Sequence, residues 1–215
     1  MIYRITMLGP QGCGKGTQAE LLSKAFAIPQ VQPGVIYRKE VAMGTPLGKQ
    51  IAPILTSGAM VPHEITNAIV LKRLHESDCA GGFILDGFPR AMPQVEALDA
   101  SGLPLTHAIL LDITDDEAVR RLTQRLVCLC GKPFTGKEFP VEEGQEKNCT
   151  ACNGKLMRRT DDTADAIRQR LAFYHAETAR VVAEYDRRGI LVRIDGMRAI
   201  HDVHQEILTK LNPSA

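Results

Sequence analysis

The chain has 215 residues, of which 44% are hydrophobic and 24% are charged, and its formal net charge is +1. This composition is sufficient for one substantial core, and the near-neutral balance excludes binding to nucleic acid through overall positive charge. The start of the chain lacks the features of a secretory signal, and no apolar run reaches the length of a membrane span. We therefore expect a cytoplasmic protein that acts as a monomer, with no nucleic-acid or membrane partner.

Four apolar runs with β-strand character occur at 2–8, 82–85, 107–113 and 190–194, and long stretches with helical patterning separate them. This alternation predicts an α/β fold built on a parallel sheet with crossover helices. A capping box that begins at Thr114 predicts a helix to about Leu126. Apolar residues at steps of three and four predict one long amphipathic helix over 161–188.

Two regions interrupt this alternation. Residues 32–62 contain several Pro and Gly residues among short helical patterns, which predicts a small helical lobe. Residues 127–160 are rich in Gly, Lys and Cys, which predicts an excursion of short strands. Because the chain contains no repeat and no flexible linker, we expect a single domain over 1–215 that carries these two regions as insertions.

A glycine-rich segment follows the first apolar run and reads Gly9-Pro10-Gln11-Gly12-Cys13-Gly14-Lys15-Gly16-Thr17. Its glycines let backbone N–H groups approach an anion, and the positive end of the next helix lies at the same place. Lys15 adds a charged donor for the outer phosphates, and Thr17 adds a hydroxyl for magnesium. The usual pattern has Ser or Thr directly after the Lys. We predict a phosphate-binding loop, and the alternative is a glycine-rich turn.

A carboxylate and an arginine follow the second apolar run. Asp86 ends that run, and Arg90 follows a turn that Pro89 makes rigid. Ligands of an open parallel sheet bind outside the carboxyl ends of its strands, so we expect Asp86 to face Lys15 and to hold a water of the magnesium shell. Arg90 is predicted to bind a phosphate through two hydrogen bonds. The alternatives are a helix cap for Asp86 and a surface ion pair for Arg90.

Four of the six cysteines lie in the second irregular region: Cys128, Cys130, Cys149 and Cys152. Four thiolates suit a tetrahedral structural zinc ion, and alternate residues of a strand face the same way, so the close spacing of Cys128 and Cys130 permits a shared metal. Free thiols or an oxidation-labile pair are the alternative. Cys13 is predicted to be a small loop residue and Cys79 a buried core thiol.

Two pairs of arginines are candidate phosphate ligands. Arg121 and Arg125 are spaced i, i+4 on the helix that begins at Thr114, so we expect them to share a face on which an anion would relieve their repulsion. Arg159 and Arg170 flank the start of the predicted long helix. A solvated helix face is the alternative for each of these arginines.

Three motifs together resemble the adenylate kinase family: Gly9-x-x-Gly12-x-Gly14-Lys15-Gly16-Thr17-Gln18, Leu85-Asp86-Gly87-Phe88-Pro89-Arg90 with Gln94, and Arg159-Thr160-Asp161-Asp162. The resemblance covers nearly the whole chain and includes an insertion with two cysteine clusters that many bacterial members share. It implies a P-loop NTPase-type sheet flanked by helices, a helical nucleoside monophosphate lobe over 32–62, and a small β-rich lid over 127–160. It also implies reversible conversion of MgATP and AMP to two ADP by direct in-line transfer, with lid closure excluding water.

The resemblance also assigns site residues, position by position. Those implied to carry catalysis are Lys15, Arg90, Arg125, Arg159 and Arg170. Those implied to bind ATP are Gly12, Cys13, Gly14, Lys15, Gly16, Thr17, Arg121, Arg125, Pro133, Phe134 and Arg198. Those implied to bind AMP are Pro33, Gly34, Arg38, Ala59, Met60, Val61, Gly87, Phe88, Pro89, Arg90, Gln94, Arg159 and Arg170. Those implied for the magnesium network are Thr17 and Asp86.

The chain departs from the family pattern at two positions of the acceptor segment. Pro33 and Val35 stand where the family has Thr and Asp, which removes a hydroxyl near the acceptor base and a carboxylate near the magnesium waters. Two other functions therefore remain as alternatives, a nucleoside monophosphate kinase for UMP or CMP and a noncatalytic zinc module that senses a nucleotide. Arginines in a second phosphate pocket, such as Arg38 and Arg90, argue against the sensor.

Overall fold

The structure is a computed structural model that describes residues 2–128, 133–134, 148–150, 152–158 and 162–212. The strands are β1 (Tyr3–Leu8), β2 (Gln30–Val31), β3 (Gly82–Asp86), β4 (His107–Asp112), β5 (Leu126–Cys128), β6 (Pro133–Phe134), β7 (Leu156–Arg158) and β8 (Leu191–Asp195). The α-helices are α1 (Lys15–Phe26), α2 (Pro33–Ala42), α3 (Pro46–Ser57), α4 (His63–Leu74), α5 (Met92–Ala100), α6 (Asp115–Thr123), α7 (Ala164–Phe173), α8 (Ala179–Arg187) and α9 (Ile200–Leu211).

Five strands form a parallel sheet in the order β2-β3-β1-β4-β8. This confirms the predicted parallel sheet, and the four predicted strands are β1, β3, β4 and β8. The edge strand β2 was not predicted from the sequence, because its two residues next to Pro29 show no periodicity of their own. It forms only because Gln30 and Val31 pair with β3.

The main core lies on both faces of this sheet. Ile84 packs with Leu22 of α1 and Ile207 of α9, whereas Phe83 packs with Val70 of α4 on the opposite face. Successive residues of a strand point to opposite faces, so a strand covered on both sides has to be apolar at every position. This explains why the predicted strands appear in the sequence as continuous apolar runs. Cys79 is also buried in this core, as predicted.

The helices α2 and α3 pack closely against each other beside the main sheet. A Cβ atom at Gly48 of α3 would lie 2.1 Å from the backbone oxygen of Glu40, so only glycine permits this approach. Tyr37, Ile51 and Val61 form a buried cluster of their own between these helices and α4. The acceptor residues predicted between 33 and 61 therefore belong to a locally packed helical unit.

A second sheet has the antiparallel order β6-β5-β7. The helix predicted from Thr114 does begin there, because the Thr114 hydroxyl accepts a hydrogen bond from the Glu117 N–H. Its predicted end near Leu126 is wrong, since α6 ends at Thr123 and Leu126 begins β5. The pairing of β5 with β6 and β7 takes these residues into a sheet, which helical periodicity in the sequence does not reveal.

The predicted long helix runs from Ala164 to Arg187 with one irregularity, a π-helical segment at Tyr174–Thr178 between α7 and α8. Thr163 caps its start by accepting a hydrogen bond from the Ala166 N–H, and Gly189 follows its end with a φ of 71°. Residue 161, the first of the predicted range, lies outside the described residues. Of the helices that the structure describes, none has the length and apolar content needed to cross a bilayer.

Candidate active site

The glycine-rich segment forms a loop between β1 and α1. Gly14 precedes the helix with a φ of 100°, a left-handed conformation that glycine adopts without strain, and α1 begins at Lys15. A Cβ atom at Gly9 would lie 2.3 Å from the backbone oxygen of Leu111, so the loop also passes very close to β4. The backbone N–H groups at the start of α1 therefore lie at the carboxyl edge of the sheet, where they suit an anion.

Lys15 folds back over this loop. Its Nζ atom donates to the backbone oxygens of Gly9 at 2.7 Å and Pro10 at 2.8 Å. Nζ also lies 3.5 Å from the sulfur of Cys13, a buried residue of the same loop. The ammonium group is thereby held at the mouth of the loop, where a bound phosphate would meet a fixed positive charge.

One cleft brings together three of the predicted catalytic cations, Lys15, Arg90 and Arg170. The phosphate loop forms one side of this cleft, the segment that follows β3 forms another, and the π-helical segment contributes Tyr174 and Thr178. Lys15 and Arg170 are 155 positions apart in the sequence, so folding brings distant parts of the chain to this cleft. A polyphosphate placed in the cleft would therefore meet positive charge from three directions.

Hydrogen bonds fix the segment that carries Arg90. The Arg90 Nε atom donates to the backbone oxygen of Gly87 at 2.8 Å, and its backbone N–H donates to Gln94 Oε1 at 2.7 Å. Thr178 donates to the Arg90 backbone oxygen at 2.9 Å, and Thr6 donates to that of Phe88 at 2.7 Å. Sequence reasoning missed Thr6 and Thr178, because each lies within an apolar pattern that marks it only as a core position.

Asp86 lies at the end of β3 and is almost completely buried. Burial raises the pKa of its carboxyl group, while the charges of Lys15 and Arg90 oppose that rise. The Nε2 atoms of Gln32 and Gln30 donate to Asp86 Oδ2 at 2.6 Å and 3.1 Å. The structure thus places this carboxylate beside the phosphate loop, as predicted, and adds two amide donors that the sequence did not indicate.

Arg125 and Arg170 share one carboxylate. Arg125 donates from Nε and Nη2 to Asp162, and Arg170 donates from Nη1 to Asp162 Oδ1 at 3.2 Å. The predicted common helix face of Arg121 and Arg125 is wrong, because α6 ends at Thr123 and Arg125 lies in the connection to β5. Asp162 belongs to a motif noted in the sequence, but its role as a bridge depends on contacts that the sequence does not show.

Arg121 lies on α6 and binds Glu117, whereas Arg125 binds Asp162. Its Nε atom donates to Glu117 Oε1 at 2.6 Å, and its Nη2 atom donates to the backbone oxygen of Gly196 at 3.0 Å. Arg120 also binds Glu117, and the hydrogen bonds from these two arginines lower the pKa of Glu117 to about 2. Arg121 also lies 3.5 Å from the Gly12 oxygen, so it is held beside the phosphate loop.

The other predicted acceptor residues lie on α2, on the segment before α4, and on α5. Pro33, Gly34 and Arg38 lie on α2, and the Arg38 guanidinium curls back to within 3.3 Å of the Cβ position of Gly34. Val61 is buried, and the neighbouring Ala59 and Met60 are half-buried. Gln94 is buried, and its Nε2 atom lies 3.4 Å from Nδ1 of His63, a contact that was not predicted.

Comparison with known proteins identifies the family. The adenylate kinase family model matches residues 7–190. This chain belongs to the adenylate kinase family. The adenylate kinase of Methanococcoides burtonii is 40% identical over 212 residues, which cover 97% of this chain and 98% of the relative. That of Syntrophotalea carbinolica is 41% identical over 213 residues, with 97% and 98% covered. That of Methanosarcina barkeri is 37% identical over 215 residues, with 98% and 99% covered.

Three of the four cysteines predicted to bind a metal form a cluster. The sulfurs of Cys128, Cys149 and Cys152 lie within 4.8 Å of one another, and those of Cys128 and Cys152 are 3.3 Å apart. A backbone turn builds the second half of the cluster, since the Cys149 N–H donates to the Gly154 oxygen at 2.7 Å. Tetrahedral zinc–thiolate sites have sulfurs roughly 3.8 Å apart, so these donors fit a zinc ion. The fourth predicted ligand, Cys130, lies outside the described residues.

Four other residues that the adenylate kinase family implied as ligands have a less direct placement. Pro133 and Phe134 form strand β6 beside β5, and Arg159 lies outside the described residues. Arg198 is exposed just before α9, and its Nη1 atom donates to Glu206 Oε2 at 2.6 Å. Arg198 therefore forms an ion pair with Glu206 of α9. It is not among the residues that line the cleft with Lys15.

Proposed function

We propose that the chain carries out the adenylate kinase reaction, MgATP and AMP to two ADP, by direct in-line transfer within the cleft described above. The family supplies the reaction and its substrates. The observation that carries the assignment to this cleft is that Lys15, Arg90 and Arg170 line it together. A protein that sensed one nucleotide would not need cations on both sides of such a cleft.

The proposed roles follow from the charge that develops in the reaction. Phosphoryl transfer passes through a loose transition state in which negative charge spreads over the migrating group. Catalysis is therefore mostly positioning and stabilisation by fixed cations. We assign this task to Lys15, Arg90 and Arg170, together with Arg125, which Asp162 holds beside Arg170. Arg159 receives the same role from the family resemblance alone.

The two nucleotides occupy opposite sides of the cleft in this proposal. ATP binds with its phosphates on the loop over 12–17, where Arg121 is anchored next to Gly12. AMP binds between α2 and the segment over 87–94, where Arg38 and Arg90 supply positive charge and the buried Gln94 reads the base. With Pro33 and Val35 in the acceptor segment, base selection depends mainly on Gln94 and backbone groups.

Magnesium accompanies ATP. The Thr17 hydroxyl offers this ion an oxygen ligand, and the Asp86 carboxylate offers an acceptor for a magnesium-bound water. When bound, the ion neutralises phosphate charge during transfer. Thr17 lies in the first turn of α1, and a Cβ atom at the preceding Gly16 would lie 3.2 Å from Asp86 Oδ2. This placement supports both residues as members of the magnesium network.

We assign the 32–62 region as the acceptor lobe and the 127–160 region as a lid that excludes water, both carried by one domain over 1–215. The separate cluster of Tyr37, Ile51 and Val61 supports the first assignment, and the separate sheet β6-β5-β7 supports the second. The thiol cluster of Cys128, Cys149 and Cys152 supports structural zinc in this lid, with Cys130 as the fourth ligand.

The remaining proposals concern the oligomeric state, the cellular location and the partners of the protein. Because one chain contributes both sides of the cleft, a second copy is not required, and we propose that the protein acts as a monomer. Free thiols at Cys13 and Cys79 are compatible with a reducing compartment, which supports the cytoplasm. The net charge of +1 supports the absence of a nucleic-acid partner. We also propose that the protein has no membrane partner.

A coupled assay of nucleoside diphosphate formation tests this function. Purified protein receives MgATP with AMP, UMP, CMP or GMP, and a Lys15→Met preparation serves as the control for contaminating kinases. We expect the highest kcat/KM with AMP. A preference for UMP or CMP would contradict the acceptor assignment, whereas nucleotide binding without any diphosphate formation would favour a sensor.

A further inference from the structure

Two glutamine amides hold the buried carboxylate of Asp86. Gln32 Nε2 donates to Asp86 Oδ2 at 2.6 Å, and Gln30 Nε2 donates to the same oxygen at 3.1 Å. Within the described part of the chain, the hydrogen bonds to this carboxylate all fall on Oδ2. Oδ1 is therefore the oxygen that remains to accept a hydrogen bond from a magnesium-bound water.

Gln32 also connects two binding segments. It directly precedes α2, the helix that carries Gly34 and Arg38, yet its side chain makes no capping hydrogen bond to that helix. On the other side, a Cβ atom at Gly16 of the phosphate loop would lie 3.2 Å from Asp86 Oδ2 and 3.8 Å from Gln32 Nε2. The amide of Gln32 is thus committed to Asp86 and lies between the acceptor helix and the phosphate loop.

Neutral donors are well suited to this position. A buried carboxylate requires hydrogen-bond donors, and a partner with positive charge would compete with magnesium for it. The amides of Gln32 and Gln30 satisfy the carboxylate and leave its negative charge available. Val35, which lies one turn further on α2, is 42% exposed and offers no donor, so it cannot replace either glutamine.

We propose that Gln32, supported by Gln30, is a positioning residue for phosphoryl transfer. Its amide fixes the Asp86 carboxylate so that Oδ1 faces the magnesium-bound phosphates, and it ties the start of the acceptor helix to the end of β3 beside the phosphate loop. This inference rests on the proposed role of Asp86 in the magnesium network. It gives the chain a way of ordering that network although the acceptor segment contains Val35.

The test is a double-mutant cycle between positions 32 and 86. Gln32→Met keeps the length of the side chain and removes the donor, Asp86→Asn removes the charge, and the double variant combines them. Gln205→Met is the matched control, because Gln205 is exposed on α9. Two measurements are made, denaturant unfolding of the protein without nucleotide or metal, and kcat with the KM for AMP and the free Mg²⁺ concentration that gives half the maximal rate.

We expect Gln32→Met to lower kcat about tenfold and to raise the half-saturating Mg²⁺ concentration severalfold, while the KM for AMP changes less than about twofold. In the Asp86→Asn background the same substitution has no further effect on kcat, and the unfolding free energies are also nonadditive. The control variant resembles the parent in every measurement.

Other results overturn the inference. If Gln32→Met leaves kcat and the Mg²⁺ requirement unchanged, or if its effects add to those of Asp86→Asn, the amide does not act through the carboxylate. If only the KM for AMP rises, Gln32 merely supports α2. If the parent is active and Asp86→Asn is equally active, the role of Asp86 fails and Gln32 loses its function with it. A parent that forms no ADP from MgATP and AMP would instead overturn the proposed function itself.

Discussion

Arg125 donates to both carboxylate oxygens of Asp162, at 2.8 Å from Nε and at 2.6 Å from Nη2. Only 5% of the Asp162 side chain is exposed, and Arg170 binds the same carboxylate. Two guanidinium groups that would otherwise repel each other are therefore held together by one buried anion. A phosphoryl group presents similar acceptor oxygens, so this arrangement orients both arginines as the proposed nucleotide site requires.

The first prediction concerns this bridge. Asp162→Asn leaves the shape of the side chain but removes the charge between Arg125 and Arg170, so we expect a loss of about 2 kcal/mol of unfolding free energy and about tenfold in kcat. Thermal unfolding and the coupled assay measure these effects. Asp165→Asn is the control, because Asp165 is 92% exposed and its ion-pair partner among the described residues is the exposed Arg168. Equal behaviour of the two variants would contradict the bridging role.

The second prediction concerns Lys15. Lys15→Met removes the ammonium group at the mouth of the phosphate loop and should lower kcat at least about 100-fold, because the fixed positive charge that stabilises the migrating phosphoryl group is lost from this side of the cleft. Its partners are carbonyl oxygens of the loop, so we expect the far-ultraviolet circular dichroism spectrum to stay unchanged. Lys24→Met provides a comparison, since Lys24 is 69% exposed on the same helix. A near-normal rate for Lys15→Met would refute the assignment.

The third prediction concerns pH. Hydrogen bonds from Arg120 and Arg121 lower the pKa of Glu117 from 4.5 to about 2. A carboxylate with a lowered pKa stabilises the folded chain above its ordinary pKa, and this stabilisation is lost as the pH falls towards 2. We therefore expect Glu117→Gln to lower the melting temperature at pH 7 by a few degrees, with the difference from the parent shrinking below about pH 4.5.

Melting curves between pH 2.5 and 8 measure this dependence. The exposed Glu96 offers a control, because Glu96→Gln removes a charge from another helix without touching Arg120 or Arg121. A melting-temperature difference for Glu117→Gln that stays constant over the whole range would show that the ion pairs do not stabilise the fold. In that case the ion pair with Glu117 would not explain why Arg121 lies beside Gly12.

The fourth prediction concerns the thiol cluster. Protein purified without chelator should contain one zinc ion per chain, and its removal should lower the melting temperature, because the metal binds the folded form. Atomic absorption and calorimetry measure these two quantities. Cys149→Ser should lose the metal, whereas Cys79→Ala should retain it, since Cys79 lies in the core away from the cluster. An unchanged melting curve after verified removal of the metal would contradict a structural role.

Much of the fold could be predicted from local patterns in the sequence. Continuous apolar runs identified four strands of the parallel sheet, and the capping box at Thr114 marked the start of α6. These predictions succeeded because each depends on the chemistry of neighbouring residues. The end of α6 and the strand β2 were missed, since pairing with distant strands determines both.

The sequence by itself indicated the loop between β1 and α1, because glycines at 9, 12 and 14 permit the positive φ values that this turn requires. It also placed Asp86 at a strand end beside that loop. Only the tertiary structure decided which groups hold these residues, for instance Gln32 on Asp86 and Asp162 on Arg125. The physical reason is that a backbone conformation depends on adjacent residues, whereas a buried charge is satisfied by whichever donors the folded chain brings within hydrogen-bonding distance.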